Sequence, residues 1–110
     1  MAYKHIEARN LLKKLKRSIP LYRMKVRLIF VNSLIRMDDE GQALGMAVLN
    51  KRSATIKIYA KQSQYALKSL VCHEYGHVIA HARGWDRKER YHNAAWGRCY
   101  AEVYRAMMNE

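Results

Sequence analysis

The stretch Ala54–Arg83 reads ATIKIYAKQSQYALKSLVCHEYGHVIAHAR, and two successive periodicities within it decide the fold. Ala54, Ile56, Ile58 and Ala60 alternate with Thr55, Lys57, Tyr59 and Lys61, the period of a strand with one buried face. After Gln62 the period changes. Leu67, Val71, Tyr75, Val78 and Ala82 recur at steps of three and four, which predicts a helix from about Gln64 to Arg83. Ser63 suits its N-cap, and Gly84 stands where a left-handed residue commonly ends a helix. A second stripe on this helix, Leu70, His73, Glu74, His77 and His81, lies on a neighbouring face.

Working outward, Ala8, Leu11, Leu12 and Leu15 recur at helical spacing among Lys13, Lys14, Lys16 and Arg17. This predicts an amphipathic N-terminal helix that stops before Pro20. Met24 to Val31 is apolar and rich in β-branched residues and predicts a first strand. The polar run Arg36 to Gly41 reads as a turn, Ala43 to Leu49 as a second strand that Gly45 weakens, and Asn50 to Ser53 as another turn. Trp96, Cys99, Tyr100, Val103 and Met107 place a final helix over about Asn93 to Met108. The pattern predicts an α+β fold in a single domain over residues 1–110. It has an N-terminal helix, a small three-stranded, mainly antiparallel sheet, the helix carrying His73 and His77, and a C-terminal helix.

Half of the residues are apolar and 27% are charged, the balance of a folded chain. The 21 Lys and Arg against 9 Asp and Glu give a net charge of +12, which favours polyanionic partners such as DNA. The candidate nucleic-acid contacts are Lys13, Lys14, Lys16 and Arg17 near the start and Arg87, Lys88 and Arg90 near the end. Trp85 and Tyr91 flank that second group and could stack on unpaired bases. Two cysteines, Cys72 and Cys99, are too few for a disulfide framework and read as buried thiols. No signal segment or bilayer-length apolar run is evident, so the expected setting is cytoplasmic, with no membrane partner.

His73-Glu74-Tyr75-Gly76-His77 carries the chemistry. Residues four apart on a helix are separated by one turn, ~6 Å of rise, so the two imidazoles can share one metal. Glu74, offset by roughly 100°, can reach a water beside that metal without ligating it. A catalytic zinc needs a third protein ligand and an open position. The downstream candidates are His81, Glu89, His92 and Glu102. His81 shares the helix face but sits ~12 Å along the axis from His73, too far for a metal between His73 and His77. A third histidine six residues after His77, with an intervening glycine, is absent, because those positions are Arg83 and Ala80. His92 lies beyond Gly84, where the chain can turn back over the metal, and is the preferred candidate.

These residues resemble the SprT-like metallopeptidases, the family that includes the DNA-protein crosslink protease Spartan. There the HExxH motif is followed, after a variable loop, by a third histidine in a His-Gly-Pro-x-aromatic segment. The matching segment here is His92-Asn93-Ala94-Ala95-Trp96, with Asn93 and Ala94 in place of glycine and proline. The resemblance spans roughly residues 43 to 105. It implies a minimal zincin-like core, one Zn2+ per chain held by His73, His77 and His92, and Glu74 as general base in hydrolysis of a protein or peptide substrate. It also implies that the strand before the motif helix lies beside the cleft, so that Thr55, Lys57 and Tyr59 bind an extended substrate by strand addition; His81, from its own place on the helix face, reads as a further cleft residue. Two other readings of the same sequence are a basic nucleic-acid-binding module with a non-catalytic zinc site and a module that sequesters a partner. Small size and compact organisation suit a viral or mobile-element protein, and a nucleoid-associated setting is the other expectation.

Overall fold

The computed structural model describes residues 3–37, 41–84 and 94–108. The elements run α1 (Tyr3–Ser18), β1 (Lys25–Val31), β2 (Ile35–Met37), β3 (Gly41–Ala43), β4 (Gly45–Leu49), β5 (Ser53–Tyr59), α2 (Gln64–Ala82) and α3 (Ala94–Met108). The expected α+β architecture is present. Among the described residues, no helix is long and apolar enough to cross a membrane.

The main sheet has the order β1-β5-β4, with β1 parallel and β4 antiparallel to β5. It is therefore mixed, with one antiparallel and one parallel pairing in place of mainly antiparallel ones. The parallel pair arises because the chain leaves β1, makes the separate β2–β3 hairpin and β4, and returns through β5 between them. That hairpin takes Arg36, Met37 and Gly41, which read as turn residues, into short strands. The expected second strand divides at Leu44, with Ala43 ending β3 and Gly45 starting β4.

Alternation on β5 is complete: Ala54, Ile56 and Ile58 are buried, while Thr55, Lys57 and Tyr59 point to the other face and are half-buried. Val26 and Leu28 of β1 pair with Ala54 and Ile56 and share the inner face, as do Ala47 and Leu49 of β4. All three helices contribute to the core on this side. Leu11, Leu12 and Leu15 of α1, Leu67, Val71, Tyr75 and Val78 of α2, and Cys99 and Val103 of α3 are buried together. Ala82, read as the end of the α2 stripe, is exposed at the last turn.

Local signals account for the ends of α2. The Ser63 side chain accepts from the Ala66 N–H at 3.1 Å, and Gly84 takes φ 71°, the left-handed conformation glycine adopts without strain. The Tyr75 hydroxyl donates to the Ile19 carbonyl at 2.7 Å, tying the middle of α2 to the end of α1. Both cysteines are free and buried. Burial pushes the Cys72 thiol up to about 11, and its Sγ lies 3.3 Å from Met107 Sδ, which makes it a packing residue.

Candidate metal centre

The middle of α2 brings His73, Glu74 and His77 onto one face. The two imidazole ring centres are 5.2 Å apart and inclined by 66°. Two imidazoles on one tetrahedral zinc, with Zn–N distances of ~2.0–2.1 Å, place their ring centres about 5 Å apart. The ring separation matches the spacing of two imidazoles on one zinc. Glu74 sits next to it, with Oε2 3.9 Å from His73 Nε2. This carboxyl is only 5% exposed, and loss of hydration pushes it from the usual 4.5 up to about 7.

Two glycines make the site compact. A Cβ at Gly45, on the inner face of β4, would stand 3.1 Å from Leu70 Cδ2 and 3.4 Å from Glu74 Oε2. The residue that reads as a weak point of the strand thus lies against the general-base candidate. At Gly76, inside the motif, a Cβ would meet Trp96 Nε1 at 3.2 Å and Tyr100 Cα at 3.4 Å. Its absence lets α3 lie directly on α2.

That close approach places the Trp96 indole against both histidines, at 5.0 Å from the His73 ring and 5.3 Å from the His77 ring. Its N–H donates to the His73 carbonyl at 3.3 Å, and Tyr100 stacks behind it at 5.1 Å with rings 10° from parallel. In the sequence, Trp96 and Tyr100 serve only to mark the stripe of the final helix. Both are half-buried and wall one side of the histidine pair. Helical spacing finds the stripe, but only the pairing of α3 with Gly76 shows what the stripe faces.

Other expected site residues are placed elsewhere. Thr55, Lys57 and Tyr59 lie on the sheet face turned away from α2, and β5 is the central strand with both edges paired. Strand addition at Thr55, Lys57 and Tyr59 is therefore blocked, because the backbone groups it needs already bond β1 and β4. His81 has its Nε2 3.0 Å from the Asn50 carbonyl and braces the β4–β5 turn against the end of α2. Glu102, one of the downstream candidates for third ligand, is held in a two-pronged ion pair by Arg83, with Nη1–Oε2 at 2.7 Å and Nη2–Oε1 at 3.0 Å. The guanidinium keeps this carboxyl below its usual range.

On α1, Lys13 and Arg17 are exposed, Lys14 Nζ donates to the Met107 carbonyl at 3.1 Å, and Lys16 Nζ lies 3.4 Å from the Val26 carbonyl. Trp85, Arg87, Lys88, Glu89, Arg90, Tyr91 and His92 fall outside the described residues. Among the described residues, no cluster of three His, Cys, Asp or Glu side chains could hold a metal; the site they define is the His73–His77 pair with Glu74 beside it. Comparison with known proteins finds no matching family model, no matching curated protein and no matching solved structure.

Proposed function

We propose that the chain is a zinc-dependent peptidase of the SprT-like kind, with one zinc held by His73, His77 and, from beyond Gly84, His92. The observation that supports this reading most strongly is the 5.2 Å separation of the two imidazoles with a buried carboxyl alongside. Zinc in such a site acts as a Lewis acid that acidifies a water and polarises a carbonyl.

The chain's own residues supply the rest. Glu74 would take the proton from the attacking water and return it to the leaving amine, general-base and general-acid work by one carboxyl. The Trp96–Tyr100 stack shields one side of the histidine pair from bulk water. An extended substrate adds to the outer edge of β4 instead of to β5. The Leu44 carbonyl and the Asn50 N–H bond to β5, so by alternation the backbone groups of Gly45, Ala47 and Leu49 point outward. Gly45 lies beside Glu74, and this edge therefore delivers a peptide to the general base. The other edge, β1, is blunted by Arg9, whose Nη1 donates to the Leu28 carbonyl at 2.9 Å. Positive charge over the whole chain suits substrates bound to a polyanion such as DNA.

The test is hydrolysis of a mixed peptide library by the zinc-loaded chain, read by mass spectrometry. General-base loss in Glu74→Gln should lower turnover ~10²–10⁴-fold, with the same cleavage sites at residual level. Equal turnover by Glu74→Gln and the parent chain overturns the mechanism.

A further inference from the structure

We infer that the outer face of the β1-β5-β4 sheet is a docking surface for single-stranded nucleic acid. This inference is independent of the metal site, which lies on the opposite side of the sheet. The three strands cover their inner face with α1 and α2 and leave the outer face without a helix among the described elements. Alternation and register place Lys25, Arg27 and Ile29 of β1, Thr55, Lys57 and Tyr59 of β5, and Met46 and Val48 of β4 on that outer face.

Its charge is one-sided. No Asp or Glu occurs from residue 8 to 37 or from residue 41 to 73, so none of the three strands carries an acid. Lys57 pairs across with Ile29, one alternate step from the Arg27–Thr55 pair, which sets Arg27 and Lys57 diagonally at about 8 Å between Cα atoms. Lys25, Arg27 and Lys57 enter no ion pair among the described residues. At the β1 entrance the Lys25 N–H bonds the Arg52 carbonyl at 3.0 Å, which joins the exposed Lys51 and Arg52 to the same rim. Cations gathered on one face with no acid among them raise the local positive potential and favour an anion beside them.

Complementarity to a phosphate backbone follows, and the apolar strip indicates which polyanion. Ile29 and Met46 flank Lys57 on the two neighbouring strands, Val48 and Tyr59 lie one step further on, and all four are half-buried to exposed. Unstacked bases have flat faces to lay on such a strip while phosphates meet the cationic rim; a duplex exposes no such faces. The α1 lysines fit less well, because Lys14 and Lys16 already reach main-chain carbonyls.

The experiment is fluorescence anisotropy of a labelled oligothymidine and of a labelled duplex, titrated with the full chain over a range of salt concentrations. The double variant Arg27→Glu/Lys57→Glu is compared with Arg98→Glu/Arg105→Glu on α3, which changes net charge equally. The sheet variant should weaken oligothymidine binding at least tenfold more than the α3 variant. Two lost phosphate contacts on a single strand should also flatten the log–log salt dependence by about 1.4. Tyr59→Ala should weaken oligothymidine more than duplex. If the glutamates compromise folding, Arg27→Gln/Lys57→Gln with Arg98→Gln/Arg105→Gln makes the same comparison. Equal losses in the two double variants, or no binding by the parent chain, overturn the surface. Tighter binding of duplex with Tyr59→Ala silent overturns the single-strand assignment.

Discussion

At the scale of one residue, the proposed chemistry concentrates on Glu74. Its carboxyl sits at about 7 because burial disfavours the ionised form. In the metal-free protein the folded state therefore holds a proton that the unfolded state has released over the window from about pH 4.5 to 7. Stability contributed by this group is full below the unfolded value and falls as pH rises through the folded one. A shift of that size corresponds to about 3 kcal/mol. Chemical denaturation with chelator present should show the metal-free chain losing stability of that order between pH 5 and pH 8, and Glu74→Gln losing markedly less; parallel profiles contradict the assignment. The motif was fully legible in the sequence because its spacing is local to one helix. Trp96 was not, because periodicity names the face of a residue and not what that face meets.

At the scale of elements, α2 and α3 are held together by the absence of a side chain at Gly76. Gly76→Ala gains helix propensity of about 1 kcal/mol but forces a methyl against Trp96 and the Tyr100 backbone, an overpacking cost of ~1–3 kcal/mol. The contact should win, lowering the melting temperature and weakening zinc binding together. Gly97→Ala is the control: nothing lies within 4 Å of its Cβ position, so propensity alone acts and stability should rise by up to about 1 kcal/mol. Thermal melts of the two variants that moved in the same direction would sink the packing account. Helix ends and the β5 alternation were readable in advance, since Ser63, Gly84 and Ala54 to Tyr59 act through near neighbours. The parallel β1–β5 pairing depends on residues nearly thirty positions apart, and the three-residue strands of the β2–β3 hairpin are too short to show a period. Gly45 illustrates the same limit: its cost to a strand is visible in sequence, while the approach to Glu74 that it permits is a tertiary fact.

For the whole molecule, a net charge of +12 on 110 residues means that self-repulsion opposes the compact state. The melting temperature of the metal-free chain should therefore rise as sodium chloride is increased from low to about 0.5 M, where the screening length is a few ångströms. A fall over that range would mean that specific ion pairs such as Arg83–Glu102 outweigh the repulsion. Fold class and the choice of α2 as the candidate helix follow from pattern, but the sheet's layering decides which residues can serve the proposed site. Thr55, Lys57 and Tyr59 share a strand with buried neighbours and stand on the far side from His73 and His77.

Zinc content is the most direct test of the proposed centre. Elemental analysis after purification without chelators should find one zinc per chain in the parent protein and in Glu74→Gln, and little or none in His73→Ala, His77→Ala and His92→Ala. A parent chain that takes up no zinc even when zinc is supplied, or a His77→Ala variant that keeps a full equivalent, would contradict the account.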